Sequence, residues 1–226
     1  MSRRPALGAL LLFLLGPAAA AAQPSDPLPG RLELALGGRW TGGLAFGEAE
    51  ALETRASGGS FALFATDTEL AASTAAEARL GVRLFRTVQI EASAAYASSD
   101  LRTRVSSDVE GIPDVTASES LMQFAFEGAL LAHLDRWRLG RRTVPFVSAG
   151  GGFLRQLHEG RTLVDVAGTY HVGAGVRYPL ATRGAARVKA IGVRAEVRAV
   201  VRIGGAAFDN RARVAPALGA SLFLRL

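Results

Sequence analysis

The stretch that decides the fold is Ile191-Gly-Val-Arg-Ala-Glu-Val-Arg-Ala-Val-Val-Arg-Ile203. Every odd-numbered residue in it is apolar, and the even-numbered residues are glycine or charged except for Val200. An alternation of period two is typical of a β-strand with one apolar and one polar face. Soluble strands usually have about 5–6 residues, whereas a strand that crosses a membrane needs about 9–11. The alternation from 191 to 203 therefore predicts a membrane-spanning strand.

Seven further segments repeat this alternation, with varying regularity. They cover residues 31–40, 76–85, 88–98, 120–133, 144–156, 169–180 and 213–226. Turn residues or less regular stretches separate them: a short turn is expected at 85–87, and longer loops are expected at 41–75 and 99–119. The whole chain therefore predicts an all-β protein with long strands that follow one another in sequence.

Period two alone does not decide between two architectures. In a soluble β-barrel or sandwich the charged faces would meet water, whereas in a membrane barrel the apolar faces meet lipid and the charges fill the interior. Strand length, an even strand number and alternating connection lengths favour the membrane barrel. So do aromatic residues near strand ends, where an interfacial girdle would lie: Trp40, Tyr96, Tyr170 and Tyr178.

The predicted fold is thus a closed, antiparallel, up-and-down transmembrane β-barrel. Closure is expected because a sheet edge in lipid would leave backbone N–H and C=O groups unpaired. Eight strands are expected. Ten are possible if the segment Phe61-Ala-Leu-Phe-Ala-Thr66, inside the first long loop, forms or extends a strand.

The first thirty residues have the order of an export signal. Arg3 and Arg4 precede an apolar run at 6–15, and small residues follow at 18–22. This order predicts a signal peptide at 1–22 that is cleaved on export, because an uncleaved spanning helix needs about 20 apolar residues and Pro17 interrupts the run. A flexible leader is expected at 23–30 and the barrel at 31–226.

The inward faces carry many charges, which is the strongest chemical signal in the chain. Glu77, Arg31, Arg39 and Arg202 lie on these faces. A buried charge is retained only when it is paired, so an ion-paired network with a surplus of arginine is expected. Its predicted members are Glu33, Arg79, Arg83, Glu91, Glu127, Arg177, Arg194, Glu196, Arg198 and Arg225. An anion-selective passage is the other interpretation, but eight strands leave an interior that side chains can just fill.

Other classes of site lack the residues they need. The chain has no cysteine, which excludes disulfides, thiolate catalysis, cysteine-ligated zinc and iron–sulfur clusters. The histidines are His133, His158 and His171; only His158 adjoins an acid, Glu159, and none forms the His-x-Ser pair of a lipid A deacylase. No catalytic, metal or cofactor site is predicted. The arginines are spread through the strands rather than clustered on one face, so nucleic acid is not an expected partner.

The signal sequence, the strand periodicity and the final segment Ala220-Ser-Leu-Phe-Leu-Arg-Leu226 together resemble the small outer-membrane β-barrels of Gram-negative bacteria. These are the OmpA/OmpX-type proteins and the outer membrane protein β-barrel domain group. The resemblance covers residues 31–226. It implies termini in the periplasm, long loops outside the cell and a monomer surrounded by outer-membrane lipid.

The resemblance also implies that the outer-membrane assembly machinery reads the last strand, here through Leu222, Leu224 and Leu226. Family members usually end in an aromatic residue, whereas this chain ends in leucine.

The expected role is structural or interactive, with an unidentified ligand for the external loops. A small porin-like channel, or a carrier of hydrophobic solutes, is the alternative. A lipid A-modifying enzyme is less favoured. The basic turns 135–143 and 181–188 would either contact anionic headgroups or be solvated.

Overall fold

The computed structural model describes residues 28–226 except 56, 108, 110–112, 138–141, 159–162, 184–186 and 207–210. The predicted signal peptide and residues 23–27 of the predicted leader lie outside these residues. No helix in the described part is long and apolar enough to cross a membrane. The strands are β1 (Leu32–Thr41), β2 (Leu44–Thr54), β3 (Ser60–Leu70), β4 (Ser73–Arg83), β5 (Val88–Ser106), β6 (Val115–His133), β7 (Val144–Leu157), β8 (Val164–Thr182), β9 (Ala190–Gly204) and β10 (Ala212–Arg225).

Eight of the ten strands form a closed ring. Its order is β1, β4, β5, β6, β7, β8, β9 and β10, and β10 pairs with β1 to complete the circle. All pairings are antiparallel. The prediction of a closed up-and-down barrel is therefore confirmed, with eight strands in the ring and ten strands in the described part of the chain.

The strands of the ring are strongly staggered. Starting at Leu32 in β1 and moving to the paired residue on each next strand of the ring leads to Pro216 in β10. The Pro216 carbonyl accepts a hydrogen bond from Gly42 N at 2.9 Å. One circuit thus returns to β1 about ten residues further on, a stagger that closure of a tilted barrel requires. The tilt brings side chains that are distant in sequence to the same level of the interior.

The remaining two strands form a hairpin outside the ring. In β3, Ala65–Leu70 pairs with the last part of β5, and β2 pairs with β3 alone. We call the end of the barrel that bears this hairpin the hairpin end. The opposite end, where Leu28 and Leu226 lie, is the terminus end.

Two predicted loops differ from the structure. The prediction of a loop at 41–75 is wrong, because β2 and β3 occupy most of that range. The loop at 99–119 is also too long, since β5 and β6 extend to Ser106 and from Val115.

Burial follows the predicted alternation in the ring. In β9, Val193 and Val197 are 38% and 56% exposed, whereas Arg194 and Glu196 are 2% and 4% exposed. The apolar side chains point outward and the charges point inward, which is the polarity of a barrel surrounded by lipid and the reverse of a soluble protein. Arg31 departs from the expectation: it is exposed at the terminus end rather than inside.

Two inward-facing glycines make room for aromatic rings. Gly175 pairs with Phe146, and a Cβ atom built on Gly175 would lie 2.5 Å from that ring. Gly192 stands in the same relation to Phe223, also at 2.5 Å. Glycine in a strand commonly marks such a close approach. Both rings are buried and help to fill the terminus-end half of the barrel.

Candidate functional site

The inside of the barrel is the main concentration of polar chemistry in the described residues, and its groups form three layers. The layer at the terminus end centres on Glu33. Its carboxylate accepts from Arg177 Nη2 at 2.7 Å and from Arg225 Nε at 2.6 Å. Gln89 Oε1 accepts a further bond from Arg225 Nη2 at 3.0 Å. One carboxylate thus holds two guanidinium groups, and neutral oxygens accept from some of their other donors.

The polypeptide just before β1 completes this layer. The Leu28 carbonyl accepts from Arg225 Nη1 at 2.9 Å and also from Arg83. The Leu28 side chain is 1% exposed and packs with Ala35 and Phe223. The end of the predicted leader therefore lies inside the mouth of the barrel at the terminus end.

The middle layer centres on Glu196. Its two oxygens accept from Arg79 Nη1 at 2.8 Å, Arg194 Nη2 at 2.8 Å, Arg198 Nη2 at 2.9 Å and the Ser148 hydroxyl at 2.7 Å. Arg194 also donates to Glu91 at 2.5 Å. Burial removes hydration from these charged groups, and the ion pairs among them offset part of that loss.

Phe146 separates the terminus-end and middle layers. The guanidinium of Arg177 lies 5.0 Å from the ring centroid, and that of Arg194 lies 4.5 Å from it. Both distances suit a cation–π contact. The ring therefore spaces two like charges while it interacts favourably with each.

The layer toward the hairpin end centres on Glu127. Its Oε2 accepts from Arg39 Nη1 at 3.1 Å and from Arg198 Nη1 at 3.3 Å, and His171 Nδ1 lies 3.5 Å away. Arg39 also reaches Glu77 at 3.2 Å. Glu127 thus joins this layer to the middle layer through its shared arginine.

An apolar cap closes the hairpin end above these layers. Phe46 and Leu101 pack against the buried aliphatic residues of this cap. Those aliphatic residues are Leu44, Leu70, Leu121, Ala206 and Ala215. Between the cap and Glu127 lies a cavity with about 20 Å³ for the centre of a water-sized sphere. We call it the upper cavity. Arg39, Gln123, Glu127, Thr169 and Arg202 are among its lining residues.

The structure brings the predicted network residues to the lumen. Arg83 is half-buried. The others are buried: Glu33, Arg79, Glu91, Glu127, Arg177, Arg194, Glu196, Arg198 and Arg225. Four further buried residues, which the predicted list did not contain, join this network through the bonds above or as neighbours: Glu77, Arg39, Gln89 and Ser148. The role of this network in function stays a prediction.

The predicted girdle and the terminal strand lie on the outer surface. Tyr178 is near the terminus end, and Trp40 and Tyr170 are toward the hairpin end. Their exposed fractions are 39%, 40% and 56%, and Tyr96 is 45% exposed. Leu222 is exposed, whereas Leu224 and Leu226 are half-buried. Their roles in lipid contact and in assembly stay predictions.

A histidine outside the barrel has a more specific environment than the sequence indicated. His158, just after β7, lies between Glu119 Oε1, 3.0 Å from Nδ1, and Asp165 Oδ2, 2.9 Å from Nε2. Partial burial lowers its pKa, but the two hydrogen-bonded carboxylates outweigh this and leave the pKa of His158 above the usual value. Its sequence neighbour Glu159 lies outside the described residues. The two partners come from β6 and β8, whereas His158 follows β7, so no local motif revealed them.

The other two histidines are inside the barrel. His133 Nε2 lies 3.0 Å from Arg177 Nη1, and since arginine has no acceptor, this ring nitrogen must accept. His171 adjoins Glu127. In the described part of the chain, no group of three or more acidic or histidine side chains is placed to hold a metal ion.

Comparisons with known proteins found likenesses in structure only. A scan against family models and a search of curated proteins gave no match. The chain is similar to Neisserial surface protein A (NspA), with a TM-score of 0.45 and 11% identity over 87% of this chain and 96% of that one. It is also similar to the outer membrane protein OprG from Pseudomonas aeruginosa, with a TM-score of 0.46 and 9% identity over 89% and 100%. At these values neither likeness bears on activity or ligand.

Proposed function

We propose that this protein is exported through a cleaved signal peptide to the outer membrane. There it is a filled β-barrel that presents its hairpin-end sheet outside the cell and has a structural or interaction role rather than a catalytic one. One observation supports this most strongly: ion pairs occupy the lumen from Glu33 to Glu127, and an apolar cap covers the end beyond them.

The interior network argues against an open passage. Glu33, Glu196 and Glu127 each accept hydrogen bonds from at least two guanidinium groups. Moving any one of these carboxylates aside would remove an ion-pair partner from at least two buried arginines, which is costly in a desolvated site. The network is therefore expected to stay in place at equilibrium. A porin-like channel or a solute carrier is the alternative, and it would need these pairs to open.

The external sheet supports an interaction role. The hairpin and the ends of β5 and β6 project beyond the ring as one sheet. In β2 and β3 every charged side chain is acidic and exposed: Glu48, Glu50, Glu53, Asp67 and Glu69. β2 pairs only with β3 among the described strands. Arg213 donates to the carbonyls of Ala45 and Phe46, and the rest of β2 offers a free edge. Strand edges and charged surfaces are common sites of protein recognition.

Two measurements test location and orientation. Outer-membrane fractions run on a gel with and without boiling should show a shift, because a closed barrel resists SDS until heated. Protease added to intact cells should cleave in the hairpin at 44–70 and leave the ring resistant. A protein recovered in the soluble periplasmic fraction without a heat shift would overturn the proposal. Cleavage only after the outer membrane is permeabilised would reverse the orientation.

A shortened variant separates the sheet from the barrel. β1 and β4 pair directly from Thr41 and Ser73 onward, so replacing 44–70 by a short turn leaves the ring intact. This variant is expected to keep the heat shift and to lose any partner captured by the full protein. Retention of the partner would exclude the hairpin as the interaction surface.

A further inference from the structure

The upper cavity has an excess of positive charge. Its charged lining residues are Arg39, Arg202 and Glu127. Glu127, an acidic residue in the cavity wall, is already bonded to Arg39 and Arg198. Glu127 therefore does not balance the charge of Arg202 as well.

Arg202 makes one hydrogen bond within the described part of the chain, from Nη1 to Gln123 Oε1 at 3.3 Å. No described carboxylate forms an ion pair with it. A guanidinium has five N–H donors, so most of its donors are available to another acceptor. Arg202 also borders the small space beneath the cap, which places it between the cap and the upper cavity.

Gln123 supplies a second free donor. The residue is 3% exposed, and its Nε2 has no protein acceptor within hydrogen-bond distance. The orientation of the amide follows from its other atom, because Oε1 must face the Arg202 guanidinium that donates to it. A buried N–H₂ group without an acceptor is unfavourable. Gln123 Nε2 therefore requires an acceptor, and the neighbouring Arg202 guanidinium has donors that can bond to the same acceptor.

The volume of the cavity limits what that acceptor can be. About 20 Å³ is available to the centre of a water-sized sphere, which is enough for one small occupant. We propose that the upper cavity binds one small monovalent anion of the size of chloride, held by the guanidinium of Arg202 and the amide of Gln123. Chloride meets both requirements, since it accepts hydrogen bonds and offsets the unbalanced charge.

Bromide diffraction tests the site directly. The whole folded protein is crystallised with bromide as the only halide, and anomalous scattering locates the ion. We expect a peak within hydrogen-bond range of Arg202 and Gln123 in the wild type and none in Arg202→Gln. Arg155→Gln, a change at an exposed arginine outside the barrel, should keep the peak. Density of water only, or a peak that survives Arg202→Gln, overturns the proposal.

A solution measurement gives a second readout. Unfolding of the barrel in lipid vesicles is followed as chloride replaces a bulky organic anion at constant ionic strength. Once chloride exceeds its dissociation constant, each tenfold increase should raise the ratio of folded to unfolded protein about tenfold. Arg155→Gln should behave in the same way, whereas Arg202→Gln should show no dependence.

Gln123→Leu is the second variant, used if Arg202→Gln does not fold. It keeps the charge of Arg202 and removes the amide, so a weakened chloride dependence is expected. Equal chloride dependence in the wild type and in every folded cavity variant would overturn the proposal.

Discussion

Arg79 Nη1 lies 2.8 Å from Glu196 Oε2, although 117 residues separate them in the sequence. The bond joins β4 to β9. On the shorter way round the ring, β1 and β10 lie between these two strands. It therefore crosses the lumen rather than following the sheet. Glu196 binds two further arginines from its own strand, so it ties opposite walls of the barrel together.

Glu196→Gln should destabilise the barrel strongly. The change leaves Arg79, Arg194 and Arg198 buried without their shared carboxylate, and breaking a buried pair from one side costs about 3–5 kcal/mol. The free energy of unfolding in lipid vesicles, measured by urea titration, should fall by this amount. Glu48→Gln, at an exposed position of the hairpin, should change it by less than about 0.5 kcal/mol. Equal effects for both variants would show that the network contributes no stability.

Gly175→Ala should also be destabilising, for a steric reason. The added methyl group would lie 2.4 Å from the Ala195 carbonyl oxygen and 2.5 Å from the Phe146 ring. Overpacking of this kind costs about 1–3 kcal/mol. Gly128→Ala is the matched control, because a Cβ there meets nothing within 4 Å. A control that lost as much stability as Gly175→Ala would exclude the contact with the ring as the cause.

His158 should titrate above its usual pKa of 6.5. Only the imidazolium can donate from both ring nitrogens to Glu119 and Asp165 at once. Because the folded pKa is raised, the stabilisation is fully present below the unfolded pKa and is lost as the pH rises through the folded pKa. NMR titration of the imidazole measures the midpoint.

Replacing the carboxylates checks the cause of that shift. Glu119→Gln and Asp165→Asn should each lower the midpoint, since each removes one of the interactions that raise it. In the wild type, amide exchange at the adjoining ends of β7 and β8 should show less protection above the midpoint, after correction for intrinsic rates. An unchanged midpoint in both variants would mean that neither carboxylate sets the pKa.

The ring strands were predictable because lipid on one side and a charged interior on the other impose a strict alternation. The hairpin was not predictable to the same degree. β2 and β3 lie beyond the ring, and their pairing contains register shifts at Ala45/Gly47 and at Ala51/Leu52. Each shift exchanges the faces of the residues that follow, so period two is interrupted. The apolar segment Phe61–Thr66, which the sequence marked as a possible extra strand, was the one trace of β3.

The interior partners could not be predicted from the sequence for a different reason. The alternation places Arg79 and Glu196 on inward faces, but only the stagger of the closed ring brings them to the same level. The site around His158 depends in the same way on three strands. Local spacing pointed to Glu159, whereas the observed partners are Glu119 and Asp165.

Single-channel recording in planar bilayers tests the filled barrel most directly. Protein whose heat-modifiable band shows that it is folded is inserted, and current is followed over a range of voltages and salt concentrations. The ion pairs around Glu33, Glu196 and Glu127, with the apolar cap beyond them, predict no current steps above the baseline of the bilayer. Steady, repeated openings from the same folded preparation would contradict a filled lumen and would favour the porin-like channel.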